Sequence, residues 1–330
     1  MRVGMNPQKQ SKKIQLKYQH RLIIVVFIPS LDGYYKNVLD VFKLCLDSAI
    51  ATTNSNCAIT VVNNASCNEV GEYLNIKLSD NAIDTVIHHK ENIGKIDALI
   101  GAARGSREPI ITVSDVDILF KHGWQTEIEN VFSTIKNVAS VSPIPCRRFI
   151  NYETSSTFSQ ILSKKVKFKF EPIPENHTSQ NQFLESFHWQ LENDSNAKWP
   201  VIESNGLKAV VGSGHQILSM RRELFHSTVP KEPSLVLVGN NSEFLYCDEP
   251  INRSGGMRLA TYHNFAYHMG NTAEKWMYDI QDENLKQEKS IPNEVNAINL
   301  LEFKPKQINF GWYKLKKRII NKLFKLRYKQ

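Results

Sequence analysis

Cysteine is scarce in this chain: five among 330 residues, at Cys45, Cys57, Cys67, Cys146 and Cys247. The number is odd, no pair is spaced Cys-x-x-Cys, and no histidine pair stands at zinc-finger spacing. That argues against a disulfide framework or a structural zinc site, and for free thiols in a reducing compartment. Long apolar runs are missing too. No window comes near 18 uncharged apolar residues, so no transmembrane helix is expected. The basic residues near the N-terminus have no apolar stretch behind them before Leu22, so no secretory signal is expected either. The phosphate loop Gly-x4-Gly-Lys-Ser/Thr, the zinc-protease pattern His-Glu-x-x-His and the hydrolase elbow Gly-x-Ser-x-Gly are all absent. Gly212–Ile217 (GSGHQI) has Ile where the dinucleotide fingerprint needs its third glycine, and it comes too late in the chain.

Acid is lacking at both ends. Residues 1–21 hold six basic residues and no acid, and 314–330 hold eight and no acid. Against a net charge of +8, that leaves 22–313 at −6. The basicity therefore predicts a partner for a tail, not a basic groove in the body. A nucleic-acid-binding protein would need a basic body, so no nucleic-acid partner is expected.

What is present alternates. Leu22–Ile28 (LIIVVFI) reads as a strand buried on both faces. Val38, Val41, Phe42, Cys45 and Ala49 recur at helical spacing, predicting a helix over about 35–51. Strands are expected again at 57–66, 82–89 and 109–117, with helices at 68–78 and 92–105 between them. Four strand–helix alternations predict βαβ units and an α/β fold, a mostly parallel sheet flanked by helices. Ligands of such sheets bind at the carboxyl ends of the strands, and each of those ends is polar. Further on, a helix is expected at 121–135 and a strand at 138–145. Residues 147–200 show no clear period, and 208–225 reads as strand, glycine turn and helix.

The fourth strand ends in Ser-Asp-Val-Asp. In an extended chain Asp115 and Asp117 would face the same way, a ready oxygen-ligand pair for Mg²⁺ or Mn²⁺. The bland alternative is that one of them caps the following helix.

As a set, these stretches resemble an inverting glycosyltransferase of family 2 with the GT-A fold. VVFIPSLDGYYKNVLDVFKLCLDS is similar to the family's opening strand, turn and helix, and ITVVNNAS to its second strand and nucleoside turn. NIGKIDALIGAARGSREPIITVSDVD resembles its Asn-x-Gly-x-x-x-Ala helix leading to Asp-x-Asp. YCDEPINRSGGMRLA with AYHMGN resembles its acidic segment and late histidine. The resemblance implies that Pro29, Asn63, Asn64 and Ser66 line the nucleoside pocket. It implies that Asn92, Gly94 and Lys95 approach base and diphosphate, and that Asp115 contacts the ribose or a metal-bound water. Asp117 and His268 would hold a divalent metal, Mn²⁺ or Mg²⁺. Asn63-Asn64 stands where acids are commoner, which leaves the base recognised open.

Sugar transfer from a diphosphate needs a cation at the leaving phosphate and a carboxylate near the acceptor hydroxyl. Asp248 and Glu249 are the candidates for the second role. Asp248 is preferred because Ile251, three residues on, matches the family's apolar helix anchor. His263 is read as a packed residue.

At the C-terminus Leu315, Ile319, Ile320, Leu323 and Phe324 fall on one helical face among lysines and arginines. This predicts a helix lying in an anionic membrane interface. The rivals are nucleic-acid binding and docking on the chain's own domain.

The expected organisation is a basic extension (1–20), a GT-A domain (21–275) and a C-terminal extension (276–330) with the basic helix at 312–330. The expected function is an inverting, metal-dependent transfer from a nucleotide-sugar to a glycan or lipid-linked glycan, in bacterial surface polysaccharide synthesis. The expected place is cytoplasmic, peripheral on the inner face of the membrane. The alternative is a non-catalytic nucleotide-sugar or glycan-binding relative.

Overall fold

The structure, a computed structural model, describes residues 4–10, 14–287, 297–306 and 309–328. Arg2, Lys12, Lys13 and Lys329 of the basic ends, and parts of both expected extensions, lie outside the described residues.

The first third follows the alternation in the sequence: β1 (His20–Val26), α1 (Val38–Thr52), β2 (Cys57–Asn64), α2 (Asn68–Ser79), β3 (Thr85–His89), α3 (Lys95–Gly105) and β4 (Ile110–Ser114). Every residue of β2 and β4 is buried, as mainly apolar strands between two helical layers are. Helix α1 buries Val38, Val41, Phe42, Cys45 and Ala49, the positions whose spacing predicted it. A short strand β5 (Ile118–Phe120), α4 (Trp124–Thr134) and β6 (Val138–Ser142) come next.

Residues without a readable period hold α5 (Ser155–Leu162), β7 (Lys167–Pro172), α6 (His177–Ser186) and β8 (Lys198–Ser204). Then come β9 (Leu207–Val211), β10 (Ile217–Arg221) and α7 (Arg222–Ser227). The expected helix after the glycines is thus mainly strand, because Ile217, Leu218 and Met220 are drawn into the sheet between β4 and β6. A π-helical turn (Phe244–Asp248) leads into α8 (Glu249–Arg253), β11 (Met257–Thr261) and β12 (Ala266–His268). Helices α9 (Lys275–Lys286) and α10 (Phe310–Tyr328) close the order.

Ten strands form one sheet in the order β3-β2-β1-β4-β10-β6-β11-β9-β8-β7. β10, β9 and β7 run against the other seven, so the sheet is mostly parallel and fully so from β3 to β4. A separate ribbon pairs β5 with β12, setting His268 opposite Ile118.

Helix α10 is not a free tail. Tyr313, Ile320 and Phe324 are buried, Phe324 stacks on Phe158 of α5 at 3.7 Å, and the Tyr313 hydroxyl donates to Glu153 at 2.6 Å. The single apolar face expected from sequence is therefore divided. Ile320 and Phe324 turn inward, while Leu315, Ile319 and Leu323 stay half exposed. No helix among the described residues is long and apolar enough to cross a membrane.

Candidate active site

The parallel strands end in a crevice of about 520 Å³. Its walls include Phe27, Tyr34 and Tyr35 from the end of β1 and the turn after it, and Asn64 from the end of β2. Asn92 and Lys95 come from the start of α3, and Asp115 and Asp117 from the turn after β4.

The two aspartates do not lie on one extended strand. β4 stops at Ser114, and residues 115–117 turn before β5. The carboxylates consequently go to different partners. Asp115 meets Lys95 Nζ at 2.7 Å. Burial works against the Lys95 ammonium, but Asp115, with Glu243 further off, outweighs it and holds the lysine above its ordinary pKa. Asp117 meets His268 Nε2 at 3.2 Å. The β5–β12 ribbon makes that meeting possible, together with the Met269 amide donating to the Asp117 carbonyl at 2.7 Å. His268 is further fixed by Ser186 on Nδ1 at 2.9 Å and by stacking on Phe187. Its pKa is pushed down by burial and, more strongly, up by Asp117. His263 is exposed and takes no part.

The other Asp117 oxygen, Oδ1, is buried without a hydrogen-bond partner. A buried carboxylate oxygen left unpaired is costly, and a cation is the partner that would satisfy it. Among the described residues no three His, Cys, Asp or Glu side chains are gathered closely enough to enclose a metal. A hard cation that keeps water and takes phosphate oxygens needs only one or two protein donors, and Asp117 with His268 fits that demand.

The remaining residues expected at the nucleoside divide. Asn64 and Asn92 line the crevice and are locked together at 2.8 Å. Asn63 instead caps the Ser66 amide and reaches His88, and Ser66 receives the Ile28 amide at 3.0 Å. These two shape the turn and are not part of the crevice wall. Pro29 is exposed and also off the wall. Gly94 has φ +93°, and a Cβ there would run into the Val236 carbonyl. Its role is to let the 234–238 segment pack over the start of α3, where the Lys95 amide donates to Leu237 at 2.9 Å and Asp97 takes the Ser234 and Leu235 amides.

Residues 28–189 match the family model described as glycosyl transferase family 2. This stretch belongs to that family. The family match and the α/β sheet give the fold as GT-A. No curated protein matches the chain closely enough to count as a relative. Among solved structures, the mannosyltransferase PcManGT from Pyrobaculum calidifontis with GDP-Man and Mn²⁺ is 14% identical, with a TM-score of 0.40 over 76% of this chain and 56% of that one. GalNAc-T7 with UDP, GalNAc and Mn²⁺ is 13% identical, with 0.43 over 81% and 47%. Residues 1–349 of TarS from S. aureus with UDP are 9% identical, with 0.42 over 81% and 64%. The chain thus spans about half the length of the first two.

Asp248 and Glu249, the acids expected from the resemblance, lie beyond the matched stretch, and neither lines the crevice. Glu249 faces the other way, with Arg253, Glu153 and Lys317 as its charged neighbours. Asp248 is 0% exposed. Its Oδ1 pairs with Arg258 Nη2 at 2.6 Å, and its Oδ2 takes the Tyr152 hydroxyl at 2.6 Å and lies 2.8 Å from His215 Nδ1. Burial alone would raise its pKa, but Arg258, His215 and Tyr152 together pull it to about 2.

Tyr34, Tyr35, Phe27, Leu237 and Val238 of the wall, and His215, Tyr152 and Arg258 around Asp248, were not singled out from sequence. Phe27 had a readable signal, since it shares the inward side with Val25 two residues before. Tyr34 and Tyr35 follow in the turn after β1, and the others reach the site through contacts far apart in the chain.

Proposed function

We propose that the chain moves one sugar from a nucleotide-sugar donor to a hydroxyl of a glycan or lipid-linked glycan, inverting the anomeric centre. The observation that carries this is the family 2 crevice with a buried, unpaired Asp117 oxygen at its mouth. Asn64 and Asn92, with Tyr34 and Tyr35, would receive the nucleoside, and Lys95 the diphosphate. Asp117 and His268 would hold Mn²⁺ or Mg²⁺, with Asp115 beside them. That cation would offset charge gathering on the leaving diphosphate. Of the two family acids, Asp248 is the one tied toward the crevice, and Glu249 is assigned no part in it.

We read 21–275 as the catalytic unit, with 1–20 and 276–330 as extensions of which α10 is firmly docked. The open side of α10, apolar residues among Lys314, Lys316, Arg318, Lys322 and Lys325, supports a seat on an anionic membrane surface. A lipid-linked surface-polysaccharide precursor on the cytoplasmic face would suit that seat. A non-catalytic binding relative is favoured by one observation, the complete enclosure of Asp248. Thermal-shift screening of UDP- and GDP-sugars with and without Mn²⁺ tests the main reading. Metal-dependent stabilisation is expected, and none with any donor would sink it.

A further inference from the structure

Asp248 has no surface to offer a substrate, yet everything around it is arranged to hold one partly exposed group. His215 is 28% exposed, and its Nδ1 lies 2.8 Å from Asp248 Oδ2. Nε2, on the far side of the ring, has no hydrogen-bond partner among the described residues. The loop carrying this histidine is tightly built. Gly212 sits at φ +92°, with the Phe149 carbonyl where a Cβ would be, and a Cβ on Gly214 would meet the Phe149 ring. Arg258 Nε donates to the Ser213 carbonyl at 2.9 Å while the same guanidinium holds Asp248. On the other flank the Asp115 amide donates to the Gln216 carbonyl at 2.8 Å, which ties the loop to the crevice turn.

Resting on the transferase reading above, we propose that His215, oriented from behind by Asp248, takes the proton from the acceptor hydroxyl. The acceptor oxygen bonds to the anomeric carbon as its proton passes to Nε2. The bond from that carbon to the diphosphate oxygen breaks, and its electron pair leaves with the phosphate. The imidazolium that results faces the Asp248 carboxylate, which stays ionised, and the proton is then lost to water. Asp248 is on this view a positioning residue, fixing the tautomer with Nδ1–H inward and Nε2 free. The charged and titratable groups about His215 are Asp248, Tyr152 and Arg258 on the buried side and Asp115 and Lys95 on the crevice side. Burial lowers its pKa, but Asp248 and Asp115 together raise it by more, so the imidazole is a stronger base than an ordinary histidine.

The test follows nucleoside diphosphate release from UDP-glucose, UDP-galactose, UDP-N-acetylglucosamine and GDP-mannose with Mn²⁺, using water and simple alcohols as acceptors. His215→Ala should lower the rate on any donor the wild type uses by about 10²–10⁴-fold, with little change in donor KM. Added imidazole should restore part of that rate. The wild-type rate should rise with pH through one ionisation, and that limb should vanish in His215→Ala. His215→Ala at the wild-type rate, or slow at every pH with no imidazole rescue, overturns the base assignment while leaving the transferase reading standing. A folded wild type that turns over none of the donors overturns both.

Discussion

The molecule has two acidic stations, and they are opposites. Asp115 and Asp117 sit in a turn at the crevice lip, partly open, one held by a lysine and one with an oxygen that meets nothing. Asp248 is sealed, with both oxygens engaged by three partners. An unfinished coordination shell suits something that comes and goes. A finished one suits permanent geometry. A carboxylate's place in a motif therefore does not give its task, and its unspent hydrogen-bonding capacity does so better.

The sharpest way to break this contrast is to neutralise each station in turn. Asp248→Asn leaves the Arg258 guanidinium, itself 0% exposed, without its counter-charge. Breaking one side of a buried pair costs about 3–5 kcal/mol, so the denaturation midpoint should fall steeply. Asp117→Ala loses the longer, more open pair with His268 but also removes an unpaired buried oxygen, so its effect on stability should be much smaller. Equal effects on unfolding would erase the distinction.

In activity, unlike stability, Asp117→Ala should be severe. Asp117→Ala removes several kcal/mol of charge stabilisation if the cation reading holds, so donor turnover should drop at least about 100-fold, and Mn²⁺ should no longer shift the melting temperature with donor bound. Retained metal-dependent donor binding would contradict the assignment of Asp117.

Acid offers a gentler probe. The Asp248 pKa is lowered in the folded chain to about 2, so its stabilisation is present above the unfolded carboxylate value and is lost as pH falls toward 2. The stability gap between wild type and Asp248→Asn should narrow over that window in urea unfolding. A constant gap down to pH 2 would place the effect elsewhere than in this carboxylate.

The same contrast recurs in α10, which has a closed side at Tyr313, Ile320 and Phe324 and an open one at Leu315, Ile319 and Leu323. Removing the helix would strip core from α5, so truncation is a poor probe of membrane seating. Ile319→Glu with Leu323→Glu should leave the fold intact and weaken sedimentation with anionic vesicles by about tenfold or more. Unchanged sedimentation would leave the open side without a membrane role.

Much of this was legible because the first third is local. From β1 to β3 each strand is followed by its own helix, so apolar spacing marks both, and the polar strand ends mark the crevice at Asn64, Asn92, Lys95 and Asp115. The turn after β4 hid itself, because Ile118, Leu119 and Phe120 continue the apolar pattern across it. His268 came only from the resemblance, since its meeting with Asp117 depends on a ribbon between segments about 150 residues apart. His215 was hidden more deeply. Its sequence neighbours are glycines and serine, which announce a turn, and its partner Asp248 lies 33 residues away. The helix expected after the glycine turn in 208–225 failed at β10 because burial between two strands overrides helical spacing.

That strand has a bearing on how the chain is made. β10 fills the gap between β4 and β6, both of which leave the ribosome long before it. At roughly 5–20 residues per second, the open border of β4 waits on the order of 5–20 s for the roughly 100 intervening residues to be synthesised. Through that interval a nascent four-strand parallel unit presents unpaired amides and carbonyls along Ile110–Ser114. Translation speed across residues 115–216 thus sets how long the newborn protein stays vulnerable to pairing with a neighbour on the same messenger.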